Sequence, residues 1–140
     1  MDFLEGKLLM NIDEPVTAED RIRDGVLVLY YFVSMDCDRC RTFDDELAKV
    51  YSRAMRKEKD ILVVVVPTDD SGDNIEVMNS YPQWYMIPFE DELRVILRYN
   101  FGVTHVPQLI VVRKDGELVT RCGRAEVEEI GINVLITWSE

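Results

Sequence analysis

The sequence predicts an α/β fold, with a central mixed β-sheet and helices on both of its faces, from three observations. Two apolar runs, residues 26–33 and 61–66, have the unbroken hydrophobicity of strands that are covered on both sides. An amphipathic stretch lies between them, and two parallel strands joined by a helix form a right-handed βαβ unit. Later in the chain, residues 114–117 have the composition of a hairpin turn, which adds an antiparallel part to the sheet.

The connecting helix is predicted from residue 38, where the apolar period changes. Apolar side chains recur there at three- and four-residue steps and indicate a helix of about five turns that ends near residues 59–60; these side chains are Phe43, Leu47, Val50, Tyr51, Ala54 and Met55. Before the first apolar run, we expect a short edge strand over 7–12 and a helical turn over 15–22.

After the second apolar run, residues 68–73 form a polar turn, and a short helix is expected over 73–80. A helix is predicted over 90–100, with the side chains of Leu93, Ile96 and Leu97 facing the core. Residues 109–112 and 118–123 then form the two strands of the hairpin, and residues 125–138 form a last helix that Gly131 interrupts. We find no repeat and no linker, so residues 1–140 are read as one domain, with 1–24 as its N-terminal strand and helical turn.

Composition and charge restrict the function classes. The 140 residues carry a net charge of −11, which argues against nucleic acid and anionic membrane surfaces as partners. The longest apolar run is far shorter than the ~20 residues that span a bilayer, and the N-terminus lacks the basic and apolar regions of a secretory signal. We therefore expect a monomer located in the cytoplasm or the nucleus, without a structural disulfide framework.

Cys37-Asp38-Arg39-Cys40 is the motif that points to chemistry. It lies where the first apolar run gives way to the long helix, and a helix N-terminus favours a thiolate over a thiol. Cys37 is the candidate nucleophile, and Cys40, one turn further, can resolve a mixed disulfide. Arg39 and Arg41 favour the Cys37 thiolate, whereas Asp36 and Asp38 oppose it. We therefore expect the pKa of the Cys37 thiol to lie above the value of about 7 that is typical of thioredoxin-type sites.

Two other interpretations of the cysteine pair stay open. The thiols could be packed and unreactive, or they could be half of a metal site. A closed four-ligand zinc site is hard to assemble, because the chain has one histidine and no second CxxC motif. We therefore predict no metal and no bound cofactor. Cys122 is the third cysteine, and we interpret it as a buried free thiol in preference to a further redox group.

The sequence resembles the tryparedoxin and nucleoredoxin branch of the thioredoxin superfamily, including the nucleoredoxin-like proteins. The resemblance extends over about residues 25–138. The motifs that carry it occur in the expected order and spacing: Leu29-Tyr30-Tyr31-Phe32 before the cysteine pair, Cys40-Arg41-Thr42-Phe43 after it, Trp84 before Ile87-Pro88-Phe89, Tyr99-Asn100-Phe101-Gly102-Val103 before Val106-Pro107, and Gly116-Glu117-Leu118-Val119-Thr120 leading to Gly123-Arg124.

The resemblance implies a thioredoxin fold, protein-disulfide reductase activity and a cis peptide bond before Pro107. It also implies a substrate groove beside the cysteines, whose expected lining residues are Asp36, Arg39, Trp84, Val106, Pro107 and Gly123. Trp84 could equally be a packing residue against Ile87 and Phe89.

Three positions depart from the branch. Asp36 replaces the usual tryptophan before the first cysteine, and Arg39 replaces the usual proline before the second. Tyr31 stands where thioredoxins proper keep a buried acid, so no carboxylate is expected at that position.

The function predicted from these residues is reduction of disulfides in protein substrates by the Cys37–Cys40 dithiol. Reducing power is expected from an external donor, either a thioredoxin reductase or the glutathione system. The alternative is a non-catalytic interaction module of the nucleoredoxin-like type, which the altered residues Asp36 and Arg39 favour.

Overall fold

The fold is a five-stranded mixed sheet with helices on both faces, as the sequence predicts. A computed structural model describes residues 4, 7–11, 15–18, 21, 26–34, 37–68 and 80–139. The strands are β1 (Leu8–Leu9), β2 (Val16–Thr17), β3 (Leu27–Val33), β4 (Ile61–Pro67), β5 (Tyr85–Met86), β6 (Gln108–Arg113) and β7 (Leu118–Thr120). The helices are α1 (Asp38–Arg56), α2 (Leu93–Asn100), α3 (Gly123–Ile130) and α4 (Val134–Trp138), with a 3₁₀ turn (Gly131–Asn133) between the last two.

The strand order across the main sheet is β5-β4-β3-β6-β7. β3 runs parallel to β4 along its whole length, from Leu27 opposite Ile61 to Val33 opposite Pro67. β6 pairs antiparallel with the other side of β3, and β7 pairs antiparallel with β6. β3 is therefore central, and its C-terminal end delivers the chain to the start of α1.

Two cores, one on each face of the sheet, explain why β3 and β4 have no polar side. Alternate residues of β3 point to opposite faces, so Leu29 and Tyr31 join α1, α3 and α4 in one core, whereas Val28 and Tyr30 join α2 and the N-terminal segment in the other. All seven residues of β3 and all seven of β4 are buried. This double burial is the physical reason for the unbroken apolar runs.

The N-terminal segment differs from its prediction. The helical turn predicted over 15–22 was wrong at its start, because Val16 and Thr17 form a strand that pairs antiparallel with Leu8 and Leu9. Val and Thr are β-branched and favour extended backbone. Met10, which directly follows β1, exchanges both backbone hydrogen bonds with Met86, at 2.8 and 2.9 Å, and so attaches this hairpin to β5 at the sheet edge.

The strand β5 was missed, since two residues give no recognisable period. The long helix ends at Arg56, earlier than predicted, because Glu58 adopts a left-handed backbone (φ 55°) and the N–H of Lys59 returns to the Ala54 carbonyl. In α2, Leu93 and Leu97 are buried as predicted, but Ile96 is 46% exposed and the inward prediction for it was wrong. The predicted polar turn and short helix over 68–80 lie outside the described residues, apart from Thr68 and Ser80.

Candidate active site

Cys37 and Cys40 lie at the first turn of α1, where β3 ends. Cys37 is the N-cap residue, with extended backbone, and its sulfur accepts the backbone N–H of Cys40 at 3.0 Å. The two Cα atoms are 5.2 Å apart and the sulfurs are at disulfide distance, within the usual Cα spacing for a disulfide. Cys37 is half-buried and Cys40 is fully buried, which is the asymmetry expected of an attacking and a resolving sulfur.

The Val106–Pro107 segment lies against this pair. The peptide bond between the two residues is cis, the geometry that the resemblance implies. The Cys37 sulfur lies 3.9 Å from the Val106 carbonyl oxygen. Pro107 is buried, whereas Val106 is half-buried and packs against both cores. The structure therefore brings together the cysteine pair and the proline loop, which are 69 residues apart in the chain.

The remaining predicted groove residues have different surroundings. Asp36 lies outside the described residues. Arg39 is exposed, and its guanidinium lies 3.4 Å from the Glu128 carboxylate, which also accepts a hydrogen bond from Arg124 at 2.6 Å. This ion pair links the first turn of α1 to α3.

Gly123 begins α3 and is buried against Leu109, two residues after Pro107. Its placement beside the proline loop follows from this contact, since Leu109 is the second residue of β6, which begins directly after Pro107.

Trp84 is 1% exposed and belongs to the core on the α1 side of the sheet. Its ring stacks on Tyr81, with centroids 4.3 Å apart, and meets Tyr31 edge-on at 6.1 Å. This burial favours a packing role for Trp84 over groove lining. Its aromatic partners are Tyr81 and Tyr31, whereas the expected partner Ile87 belongs to the opposite core.

Cys122 corrects a sequence prediction. We interpreted it as a buried thiol, but it is exposed, at the N-terminus of α3. A three-residue strand with irregular pairing ends just before it, at Thr120, so the alternation that would have buried it does not continue.

One buried group was missed by sequence reasoning. Asp44 is 3% exposed, and its Oδ1 accepts a hydrogen bond of 2.5 Å from the Tyr31 hydroxyl. The same hydroxyl lies 3.0 Å from the carbonyl oxygen of Cys40. Arg41 Nε lies 3.1 Å from the other Asp44 carboxylate oxygen. Position 31 has no carboxylate, as the sequence says, yet a carboxylate reaches this region from the neighbouring helix.

A signal for Asp44 was present in the sequence. It follows Cys40 by four residues and precedes Leu47 by three, so it lies on the face of α1 that carries the buried residues. Burial raises the pKa of Asp44 above its ordinary value, while the Tyr31 hydrogen bond and Arg41 lower it in part. Burial and the nearby carboxylate also raise the pKa of Tyr31 well above its ordinary value, so this phenol stays neutral.

The described part of the chain contains neither a metal-binding cluster nor a membrane-spanning helix. Within residues 4, 7–11, 15–18, 21, 26–34, 37–68 and 80–139, no group of three or more His, Cys, Asp or Glu side chains could hold a metal ion. Over the same residues, no helix combines the length and the apolar character that crossing a bilayer requires.

Three features define the class of this protein as a thioredoxin-like redox protein. They are the five-stranded mixed sheet, the CxxC pair at the start of α1, and the cis proline loop that lies against that pair. Comparison with known proteins agrees. The family described as Thioredoxin-like matches residues 25–118, more than half of the chain. The chain therefore belongs to the thioredoxin-like family, as a nucleoredoxin- and tryparedoxin-like member, and this membership together with the paired cysteines supports a redox role.

Similar proteins support this assignment. The chain is 28% identical to human nucleoredoxin-like protein 1 over 121 residues, covering 81% of this chain and 57% of that protein. It is 28% identical to nucleoredoxin of Xenopus laevis, covering 90% of this chain and 30% of that protein. Among solved structures, native tryparedoxin I from Crithidia fasciculata aligns with a TM-score of 0.79 at 28% identity, covering 91% of this chain and 89% of that one. The chain thus spans 57% of the length of the first of these two curated relatives and 30% of the length of the second.

Proposed function

We propose that this chain is a thiol–disulfide oxidoreductase that reduces disulfides in protein substrates. The observation that carries the proposal is the position of Cys37, half-buried at the N-cap of α1 with its sulfur accepting the Cys40 N–H at 3.0 Å. That hydrogen bond and the helix N-terminus both stabilise negative charge on the sulfur once the pair is reduced. Cys40, fully buried, is protected from competing reactions until the mixed disulfide forms.

The reaction balances without a cofactor. The Cys37 thiolate attacks one sulfur of a substrate disulfide, forming a Cys37–substrate disulfide and releasing the other substrate sulfur as a thiolate. Cys40 then loses its proton and attacks Cys37, which releases the second substrate sulfur and closes the Cys37–Cys40 disulfide. Two electrons pass from the dithiol to the substrate. An external donor, either a thioredoxin reductase or two molecules of glutathione, returns two electrons, and Cys40 takes back the proton that it lost.

The Val106–Pro107 segment supports binding of an extended substrate. Its carbonyl lies 3.9 Å from the attacking sulfur, so a peptide strand that pairs with this backbone would bring its own disulfide to Cys37. Arg39, with 61% of its side chain exposed, lies in the same helical turn as the cysteines and pairs with Glu128. We expect the groove to comprise Asp36, Arg39, Val106, Pro107 and Gly123, with Trp84 supporting it from the core.

The test is the reduction of insulin disulfides with dithiothreitol as the donor. We expect the wild type to accelerate reduction and Cys37→Ser to abolish the acceleration. Cys40→Ser should accumulate a mixed disulfide with insulin that mass spectrometry detects, because the resolving sulfur is gone. Cys122→Ser, the matched control, should keep the wild-type rate. A wild-type rate equal to that of Cys37→Ser would overturn the proposal and favour the interaction module, for which the exposed arginine in place of a proline is the supporting observation.

A further inference from the structure

Asp44 is the one buried charged side chain among the described residues, and the redox steps above do not use it. A buried ionisable group costs free energy unless its surroundings are arranged for it. Its surroundings here belong to the redox site, because the Tyr31 hydroxyl that it binds also lies 3.0 Å from the backbone carbonyl of Cys40.

The Tyr31 hydroxyl has one proton and two acceptors beside it. When the Asp44 carboxyl group is ionised, the hydroxyl donates to Asp44 Oδ1 and the Cys40 carbonyl receives nothing from it. When Asp44 is protonated, its own O–H can donate to the Tyr31 oxygen, and the Tyr31 hydroxyl is then free to donate to the Cys40 carbonyl. The two charge states of Asp44 therefore correspond to two hydrogen-bond arrangements around the residue that carries the resolving sulfur.

We propose that Asp44 is a positioning residue of the redox site: the presence or absence of a proton on its carboxyl group decides which acceptor the Tyr31 hydroxyl binds, and this couples the Cys37–Cys40 pair to pH. The inference rests on the proposed redox function only in requiring that the pair be oxidised and reduced reversibly. It does not require a protein substrate.

The charged and titratable groups around Asp44 come from three elements of the described structure. Tyr31 faces it from β3, Arg41 and Asp45 flank it on α1, and Tyr81 approaches from the loop before β5. Arg41 and the Tyr31 hydroxyl favour the ionised carboxylate, whereas burial and Asp45 oppose it.

The ring of Tyr31 packs against Phe43 and Trp84, with ring centroids 5.5 and 6.1 Å away, so its hydroxyl cannot move far from either acceptor.

The direction of the coupling follows from electrostatics. The Cys37–Cys40 disulfide is uncharged, whereas the reduced pair gains a negative charge when the Cys37 thiol ionises. An ionised Asp44 repels that thiolate and so favours the disulfide, whereas a protonated Asp44 does not. Relative to a variant with no ionisable group at 44, the wild-type disulfide should therefore become more favoured as pH rises.

The experiment measures the equilibrium constant of the pair against glutathione redox buffers between pH 5 and 9. It compares the wild type with Asp44→Asn and with the control Glu46→Gln, which removes one carboxylate from the same helix at a position that pairs with Lys49. We expect the ratio of wild type to Asp44→Asn to rise about tenfold across this range, which is one unit of pKa coupling or about 30 mV. Glu46→Gln should parallel the wild type. A ratio that does not change with pH would overturn the proposal.

Two further variants separate a positioning role from a merely structural one. Tyr31→Phe keeps the ring but removes the hydroxyl that joins Asp44 to the Cys40 carbonyl, so the pH dependence should shrink toward that of Asp44→Asn. Asp44→Glu should retain a pH dependence, because it keeps a carboxyl group. If Asp44→Asn does not fold, the comparison of Tyr31→Phe with the wild type carries the test, and unchanged profiles in it would overturn the proposal. Because no protein substrate is present, failure of insulin reduction leaves this result unaffected.

Discussion

The backbone of Gly123 approaches Leu109 so closely that a Cβ atom at position 123 would lie 2.7 Å from the Leu109 carbonyl oxygen. This contact sets the distance between the N-terminus of α3 and strand β6, just after the cis proline loop. Because the close atom is backbone, it cannot move aside as a flexible side chain would.

Gly123→Ala is therefore expected to destabilise the protein by about 1–3 kcal/mol, as overpacking usually does. Urea denaturation measures this loss, with Glu129→Ala on the exposed side of α3 as the control, for which a change within about 0.5 kcal/mol is expected. If Gly123→Ala were as stable as the wild type, α3 would not be held at the distance that the structure shows.

The charge of Asp38 should oppose the reactivity of Cys37. Asp38 is exposed in the first turn of α1, directly after the candidate nucleophile. A charge at a helix end is worth about 0.3–1 kcal/mol, so Asp38→Asn should accelerate alkylation of reduced Cys37 by iodoacetamide at pH 7 about two- to fivefold. The same change should slightly destabilise the helix, since an acid in the first turn is favourable there.

Alkylation of Cys37 is followed by peptide mass spectrometry in a Cys122→Ser background, so that the exposed third thiol does not contribute. Glu46→Gln, two turns further along α1, is the control and should leave the rate close to that of the parent. A slower reaction in Asp38→Asn would contradict the assignment of opposing charge.

Replacing Trp84 should cost stability more than it costs substrate binding. The side chain is 1% exposed and stacks on Tyr81, so Trp84→Ala removes a large buried ring and should lower the free energy of unfolding by about 3–5 kcal/mol. Trp84→Phe should lose less. Tyr99→Ala, at a position that is 88% exposed, is the control. A stable Trp84→Ala variant with a raised KM for insulin would instead favour a groove-lining role.

Asp44 should also make stability depend on pH. Because the pKa of its carboxyl group is raised in the folded protein, the folded state holds this proton more tightly than the unfolded chain does. Its contribution to stability is fully present below the ordinary aspartate pKa of about 4 and is lost as pH rises through the folded value.

The unfolding free energy of Asp44→Asn should therefore rise relative to the wild type as pH increases from about 3.5 to 7. Urea titrations at several pH values measure this difference, and Glu46→Gln corrects for the loss of one carboxylate on the same helix. A difference that falls with rising pH would mean that the hydrogen bond from Tyr31 and the charge of Arg41 outweigh burial.

The strands and the long helix were predictable because their signals are local. The apolar runs of β3 and β4 reflect burial on both faces, and the three- and four-residue spacing from Phe43 to Ala54 reflects one buried face of α1. The elements that were missed or wrong are held by distant partners. β5 has two residues and is held by pairing with β4, and Val16 and Thr17 are extended because Leu8 and Leu9 lie beside them.

By itself, the sequence determined the order of the elements, the family resemblance and the cysteine pair at the start of α1, because each depends on residues close together in the chain. Only the tertiary structure decided which groups surround that pair. Val106 is 69 residues from Cys37 and Asp44 is 13 from Tyr31, and pattern cannot place such pairs within hydrogen-bonding reach. The buried carboxylate beside Cys40 exists because the strand and the helix pack face to face, and this packing turns an ordinary acidic residue on a helix into part of the redox site.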